Sequence, residues 1–149
     1  ADTEEKKLKD LQRELSSLEN EKSRMQKGIQ NDNSNIASEK ENIAIQTNEL
    51  NTVSAAIVEQ NGLLASMEEG PAKKEKEEQI KELEKRKKKA QNSIESSEKK
   101  IGKADSDIDQ ATGDIPRNER IQEKVKEQII AQEAVYQQYA DKLKKIRSY

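Results

Sequence analysis

The sequence contains no cysteine, histidine, phenylalanine or tryptophan, and only two prolines and five glycines. Without cysteine there is no disulfide, thiol nucleophile or thiolate ligand, and without histidine the commonest general base and metal ligand is missing. No glycine-rich loop has the spacing that cradles phosphates. We therefore expect no catalytic, cofactor-binding or metal site, and we interpret the protein as non-enzymatic.

Apolar residues are also scarce. They make up 30% of the sequence against 39% charged residues, whereas globular domains average about 45–50% and about 25%. Such a chain cannot fill a thick core, but it can form a thin helical assembly with one buried seam. No apolar run reaches the roughly 18–20 residues that span a bilayer. The net charge of −2 does not indicate nucleic-acid binding.

The apolar residues follow a seven-residue repeat, which is typical of a left-handed α-helical coiled coil. Each heptad has two seam positions, a and d. From Leu8 to Met67 the a positions are Leu8, Leu15, Lys22, Ile29, Ile36, Ile43, Leu50, Ile57 and Leu64. The d positions are Leu11, Leu18, Met25, Asp32, Glu39, Gln46, Val53, Gln60 and Met67. A second stretch starts with Ile80, Leu83, Lys87, Ala90, Ile94, Ser97, Ile101, Ala104, Ile108, Ala111 and Ile115. It continues in the same phase through Val125, Ile129, Gln132, Tyr136, Tyr139, Leu143 and Ile146. These patterns predict an all-α fold.

The repeat stops at Gly70-Pro71, a pair suited to ending one helix and starting the next. Residues 1–70 carry 8 basic and 14 acidic side chains, whereas residues 71–149 carry 20 basic and 16 acidic ones. Arms of opposite net charge favour pairing with each other. We therefore predict a long antiparallel coiled-coil hairpin, a single elongated domain over residues 1–149. Arm one covers residues 4–69, the turn 70–71 and arm two 72–149.

Weak helix formers occur in both arms, around Gly28 in the first and around Gly113 and Pro116 in the second. In a hairpin centred between Gly70 and Pro71, Gly28 faces Gly113. This coincidence predicts an elbow near Gly28 and Gly113, with arm two kinked near residues 113–116. The alternatives are a shorter bundle of three or four helices, a parallel oligomer and a largely disordered chain.

Two groups of polar residues each allow two interpretations. The polar seam residues either loosen the seam or pair with a second chain; they are Lys22, Asp32, Glu39, Gln46, Gln60 and Lys87. The basic run Lys85–Lys89 either binds phosphates or is a solvated face paired with the acidic arm. We favour the second interpretation of the basic run, because no aromatic residue is interleaved with it to stack on bases.

The segment Lys7–Leu15 resembles the coiled-coil arms of bacterial murein-hydrolase activators. This resemblance covers the first 65 residues, and the peptidase-like domain of that family is absent. It implies an exported protein. The start at Ala1 without methionine fits the mature end left by signal-peptide cleavage, but removal of an initiator methionine, or a fragment of a longer chain, would look the same. We therefore expect an extracellular or periplasmic location, with a cytoplasmic one as the alternative.

The leading functional hypothesis is a structural coiled coil that assembles with itself into a fibre, sheath or bundle. An isolated hairpin buries little area to offset the conformational entropy of ordering its residues, so packing against copies would stabilise it. The alternative is a coiled-coil adaptor or regulator that binds a different protein, such as another coiled-coil protein, in the bacterial cell envelope for example. It would dock through the open end of the hairpin, near Leu8–Leu18 and Val135–Ile146. The predicted partner interface consists of Ile43, Ile45, Ile57, Val58, Ile129, Ile130, Tyr136 and Tyr139.

Overall fold

The computed structural model describes residues 2–148, which form two α-helices, α1 (Asp2–Ala65) and α2 (Pro71–Ser148). The helices pack against each other as an antiparallel hairpin, and residues 2–148 contain no strand. The predicted all-α helical hairpin is therefore confirmed. The proposed cleavage site at Ala1 and the terminal Tyr149 lie outside the described residues.

The hairpin divides into two compact units. The turn unit is Asp32–Ser106, and the terminal unit combines the residues up to Asn31 with those from Asp107 onward. In each unit a segment of α1 packs against a segment of α2.

The turn is longer than the sequence predicts. Helix α1 ends at Ala65 rather than at residue 69, and Ser66–Gly70 form the connection. The backbone N–H of Ser66 and of Met67 donate to carbonyls three residues earlier, which tightens the last turn of α1. Met67 keeps its half-buried seam position although it is no longer helical. This explains why the repeat alone predicts a helix that is too long.

Pro71 lies in the first turn of α2 as predicted, whereas Gly70 precedes α2 directly and does not end α1. The carbonyl of Gly70 accepts the first helical hydrogen bond from the Lys74 N–H at 3.2 Å, and Pro71 occupies the first helical position. Gly70 has φ of +156°, the one positive φ among residues 2–148. Its backbone conformation strains any residue that carries a Cβ atom.

Replacing Gly70 by alanine is expected to lower the free energy of unfolding by at least about 1 kcal/mol, because alanine cannot adopt this φ without strain. Gly62 lies within α1, and the same replacement there is expected to raise stability by about 0.5–1 kcal/mol through helix propensity. Apart from the adjoining residues and the nearby backbone of the same helix, a Cβ atom at either position would meet no atom within 4 Å. Urea unfolding followed by circular dichroism measures both changes, and equal shifts would contradict the strained conformation.

A salt bridge joins the turn to the first turn of α2. The Nζ atom of Lys73 lies 2.8 Å from Oε1 of Glu69. The hydrogen bond and the charge of Glu69 raise the pKa of Lys73 above its ordinary 10.5. Because the folded-state pKa is raised, the bridge contributes at neutral pH and is lost as the pH rises through that raised pKa.

The longer turn shifts the register of the hairpin. Side-chain hydrogen bonds join Gln60 to Lys76, Leu18 to Asn118 and Glu4 to Gln132. Each pair is symmetric about residue 68, the middle of Ser66–Gly70, and not about the Gly70-Pro71 bond.

The predicted pairing of Gly28 with Gly113 is consequently wrong. In the observed register Gly28 is level with Ile108, and Gly113 is level with Ser23. Both helices continue through the predicted hinge residues, with Pro116 inside α2. The alternative of three or four shorter helices is therefore not the structure. An elbow near Gly28 and Gly113, or a kink at residues 113–116, stays a prediction.

Burial follows the seven-residue repeat closely. All eighteen predicted seam positions between Leu8 and Met67 are buried or half-buried. The same is true of every predicted seam position from Ile80 to Gln132 in α2. The buried apolar side chains are Val53, Ile80, Ala90, Ala104 and Val125. The heptad phase is thus confirmed over the paired length of the hairpin.

Candidate functional site

Three of the six predicted polar seam residues pair within the chain. The Lys22 ammonium lies 3.5 Å from the Glu119 carboxylate, and Lys100 lies 3.9 Å from Glu39. Gln60 accepts a hydrogen bond of 2.6 Å from Lys76. These groups are satisfied by the hairpin's own second helix, so a second chain is not required to pair them.

The terminal unit contains a buried polar pair that the sequence analysis missed. Asn118 is 4% exposed and donates a hydrogen bond of 3.0 Å to the carbonyl of Leu18. Gln122 is 7% exposed and donates to the side-chain oxygen of Asn118 at 2.5 Å. Both residues occupy seam positions that continue the repeat from Ile115, so strict counting would have found them. Polar groups in a coiled-coil seam weaken it but specify register and partner number.

The turn unit contains a second polar cluster. The Asn42 side-chain amide donates to the hydroxyl of Ser97 at 2.8 Å and of Ser93 at 3.1 Å. Ser97 is a predicted seam residue and is 2% exposed. Asn42 lies beside the seam, so only the observed register brings it to these hydroxyls. In the part of the chain that the structure describes, no buried side-chain nitrogen or oxygen lacks a hydrogen-bond partner.

Two residues of the basic run Lys85–Lys89 form ion pairs within the hairpin. Arg86 donates two hydrogen bonds to one carboxylate oxygen of Glu49, at 2.6 and 3.0 Å. Lys85 bonds to Glu82 at 3.3 Å, and Lys87 is half-buried in the seam. The contact of Arg86 with Glu49 favours the interpretation of the run as a face paired with the acidic arm, whereas the Lys85–Glu82 bond lies within α2.

Residues 2–148 offer no grouping of three or more acidic side chains placed to hold a metal ion. Within the same range, neither helix is long and apolar enough to cross a membrane.

The predicted partner-interface residues divide into two groups. Ile43, Ile57 and Ile129 are half-buried in the seam between α1 and α2. The exposed residues are Ile45, Val58, Ile130, Tyr136 and Tyr139. Only the last two of these lie on the heptad seam. Contact of any of them with a partner stays a prediction.

The seam pattern of α2 continues beyond the last pairing with α1. Gln132 donates hydrogen bonds to the backbone carbonyl and the carboxylate of Glu4. Every described residue after it, from Glu133 to Ser148, is exposed. In the observed register Asp2, the first residue of α1, lies level with this point of α2. The final segment of α2, residues 136–148, therefore extends about 20 Å past the end of α1.

Four apolar side chains stay in heptad phase on this segment and form what we call the exposed stripe. They are Tyr136, Tyr139, Leu143 and Ile146, which are 38%, 48%, 39% and 70% exposed. A shallow groove of about 510 Å³ in the terminal unit precedes them along α2, with Leu11, Ala131 and Val135 in its lining. The stripe is the one part of the described seam that has no facing helix.

Comparison with models of known protein families, with curated proteins and with solved structures finds no match for this chain.

Proposed function

We propose that this protein is a non-enzymatic coiled-coil interaction protein that uses the exposed stripe to associate with a further helix. The observation that carries the proposal is the continuation of the buried seam into Tyr136, Tyr139, Leu143 and Ile146 where α1 no longer covers it. Burying an apolar side chain of this size contributes about 1.5–3 kcal/mol. A helix that extends the line of α1 would bury all four.

A synthetic helix provides the test. The probe has about three heptads, with leucine at both seam positions and uncharged glutamine at the flanking positions. We expect it to protect the amides of residues 136–148 from hydrogen exchange. It should also change the fluorescence of Tyr136 and Tyr139, which are two of the three tyrosines in a chain without tryptophan.

The chain offers a closely matched pair of control variants. Leu143→Ala with Ile146→Ala removes half of the stripe, whereas Ile121→Ala with Ile130→Ala removes side chains of α2 outside the seam phase. Ile121 and Ile130 are 45% and 68% exposed, close to 39% and 70% for Leu143 and Ile146. The first double variant is expected to weaken binding at least about tenfold, and the second to leave it unchanged. Equal weakening by both, or protection outside residues 136–148, would contradict the proposal.

A second candidate function is a structural coiled coil that assembles with copies of itself into a fibre, sheath or bundle. It is favoured by three exposed apolar side chains on α1 in the turn unit, Ile45, Val58 and Leu63, at 56%, 73% and 49% exposure. Packing between copies would cover them. Sedimentation velocity over a range of protein concentrations separates the two candidates, because only self-assembly makes the sedimentation coefficient of the purified chain rise with concentration.

A further inference from the structure

We infer that the exposed stripe binds an acidic amphipathic helix of a partner protein, which runs antiparallel to α2 and extends the line of α1. This inference rests on the proposed function and specifies the chemistry of the partner. It is carried by the charge around the stripe and by the continuity of the stripe with the seam.

The segment that carries the stripe is strongly basic. Residues 136–148 contain four basic side chains and one acidic side chain, a net charge of +3 in a chain whose total is −2. In heptad phase Lys142 and Arg147 lie directly beside the stripe, where a coiled-coil partner places its flanking residues. The one carboxylate, Asp141, accepts a hydrogen bond of 3.1 Å from Gln137 on the side away from the stripe. The flanks of the stripe therefore present positive charge to whatever covers it.

This charge disfavours pairing between two copies of the segment. Two stripes packed together would bring segments of +3 and +3 side by side, and like charges at flanking positions destabilise a coiled coil. A partner with Glu or Asp at its flanking positions would gain from the same charges. In the turn unit the hairpin already uses such pairing, because Arg86 of α2 binds Glu49 of α1.

The orientation follows from the existing seam. Helix α1 runs antiparallel to α2 up to the Glu4–Gln132 contact, and the stripe keeps the same phase after that point. A helix in line with α1 would therefore contact the same heptad seam positions of α2 that α1 contacts. An anionic membrane surface would also attract a basic amphipathic segment. The stripe is only two positions per heptad wide, however, which is the width of a coiled-coil seam rather than of a membrane-inserting face.

The experiment compares two probe helices with leucine at both seam positions, one flanked by glutamate and the other by lysine. We expect the purified chain to bind the glutamate-flanked helix about four- to thirtyfold more tightly at low salt, because Lys142 and Arg147 attract the flanking glutamates of one probe and repel the flanking lysines of the other. The difference should shrink as salt is added, because salt screens exposed charges.

Charge-reversal variants identify which basic residues cause the preference for the glutamate-flanked helix. Lys142→Glu with Arg147→Glu is expected to reverse the preference, so that the lysine-flanked helix binds more tightly. Lys144→Glu with Lys145→Glu changes the net charge equally but lies away from the stripe. It is expected to keep the original preference. Reversal by both variants would show a response to net charge alone and would overturn the inferred flanking contacts.

The remaining outcomes separate this inference from the proposed function. If the uncharged glutamine-flanked helix binds the stripe and the charged helices show no preference, the acidic partner is wrong and the interaction function stands. A dimer of the purified chain in sedimentation, which Leu143→Ala with Ile146→Ala dissociates, would also overturn the acidic partner. If no helix binds and only vesicles of phosphatidylcholine and phosphatidylserine do, both the inference and the proposed function are wrong.

Discussion

Val53→Asp is expected to lower the free energy of unfolding by about 3 kcal/mol or more, the largest effect of any single substitution considered. Val53 is 1% exposed and is among the largest fully buried side chains. In the observed register it is level with Leu83, which is half-buried. Aspartate would place an unpaired carboxylate in this layer, where burial disfavours the charged form.

The control is a valine on the same helix. Val58 is 73% exposed and lies outside the seam. Val58→Asp makes the same chemical change and carries the same cost in helix propensity, so its effect is expected to stay within about 0.5 kcal/mol. Thermal and urea unfolding by circular dichroism measure both variants. A similar loss of stability in the two would mean that the seam of α1 does not face α2 at residue 53.

Asn118→Ala is expected to lower the free energy of unfolding by about 1–3 kcal/mol, because it leaves the buried amide of Gln122 without its acceptor. Replacing both residues by leucine removes the unsatisfied group together with its partner. The double variant Asn118→Leu with Gln122→Leu is therefore expected to be as stable as the parent or more stable.

The double variant should differ from the parent in specificity. A seam without its polar pair accepts alternative registers and numbers of chains more readily. Sedimentation equilibrium is expected to show a mixture of association states for the double variant and a narrower distribution for the parent. If Asn118→Ala unfolds like the parent, the hydrogen bonds of Asn118 contribute nothing to stability. If the double variant shows the same association states as the parent, the polar pair has no role in specificity.

The seven-residue repeat predicts most of the fold because it records directly which side of each helix is buried. It predicts the two helices, their antiparallel pairing and, to within one residue, the start of α2. It does not predict where α1 ends, because Leu64 and Met67 keep their seam positions on either side of that end. The error of a few residues in the turn is sufficient to shift every cross-helix pair, including the predicted pairing of Gly28 with Gly113.

The candidate site could be predicted only in part for the same reason. Heptad phase alone places Tyr136 and Tyr139 on the seam, and strict counting would have added Asn118 and Gln122. The exposure of the stripe depends on which residues of α2 lie level with the start of α1 at Asp2, and this register is set by the length of the turn. The contact of Asn42 with Ser97 likewise requires the register. Charge totals for whole arms also conceal the basic segment at the end of α2, because acidic residues precede it along the same helix.

The symmetry of the pairs about residue 68 has a consequence for the order of folding. Gln60 and Lys76 are only 16 residues apart along the chain, whereas Glu4 and Gln132 are 128 apart. Closing a short loop costs less conformational entropy, so we expect the helices to zip together from the turn outward. The contacts beside the exposed stripe would then be the last to form and the first to fray. A helix that binds there would hold shut the end of the hairpin that opens most often.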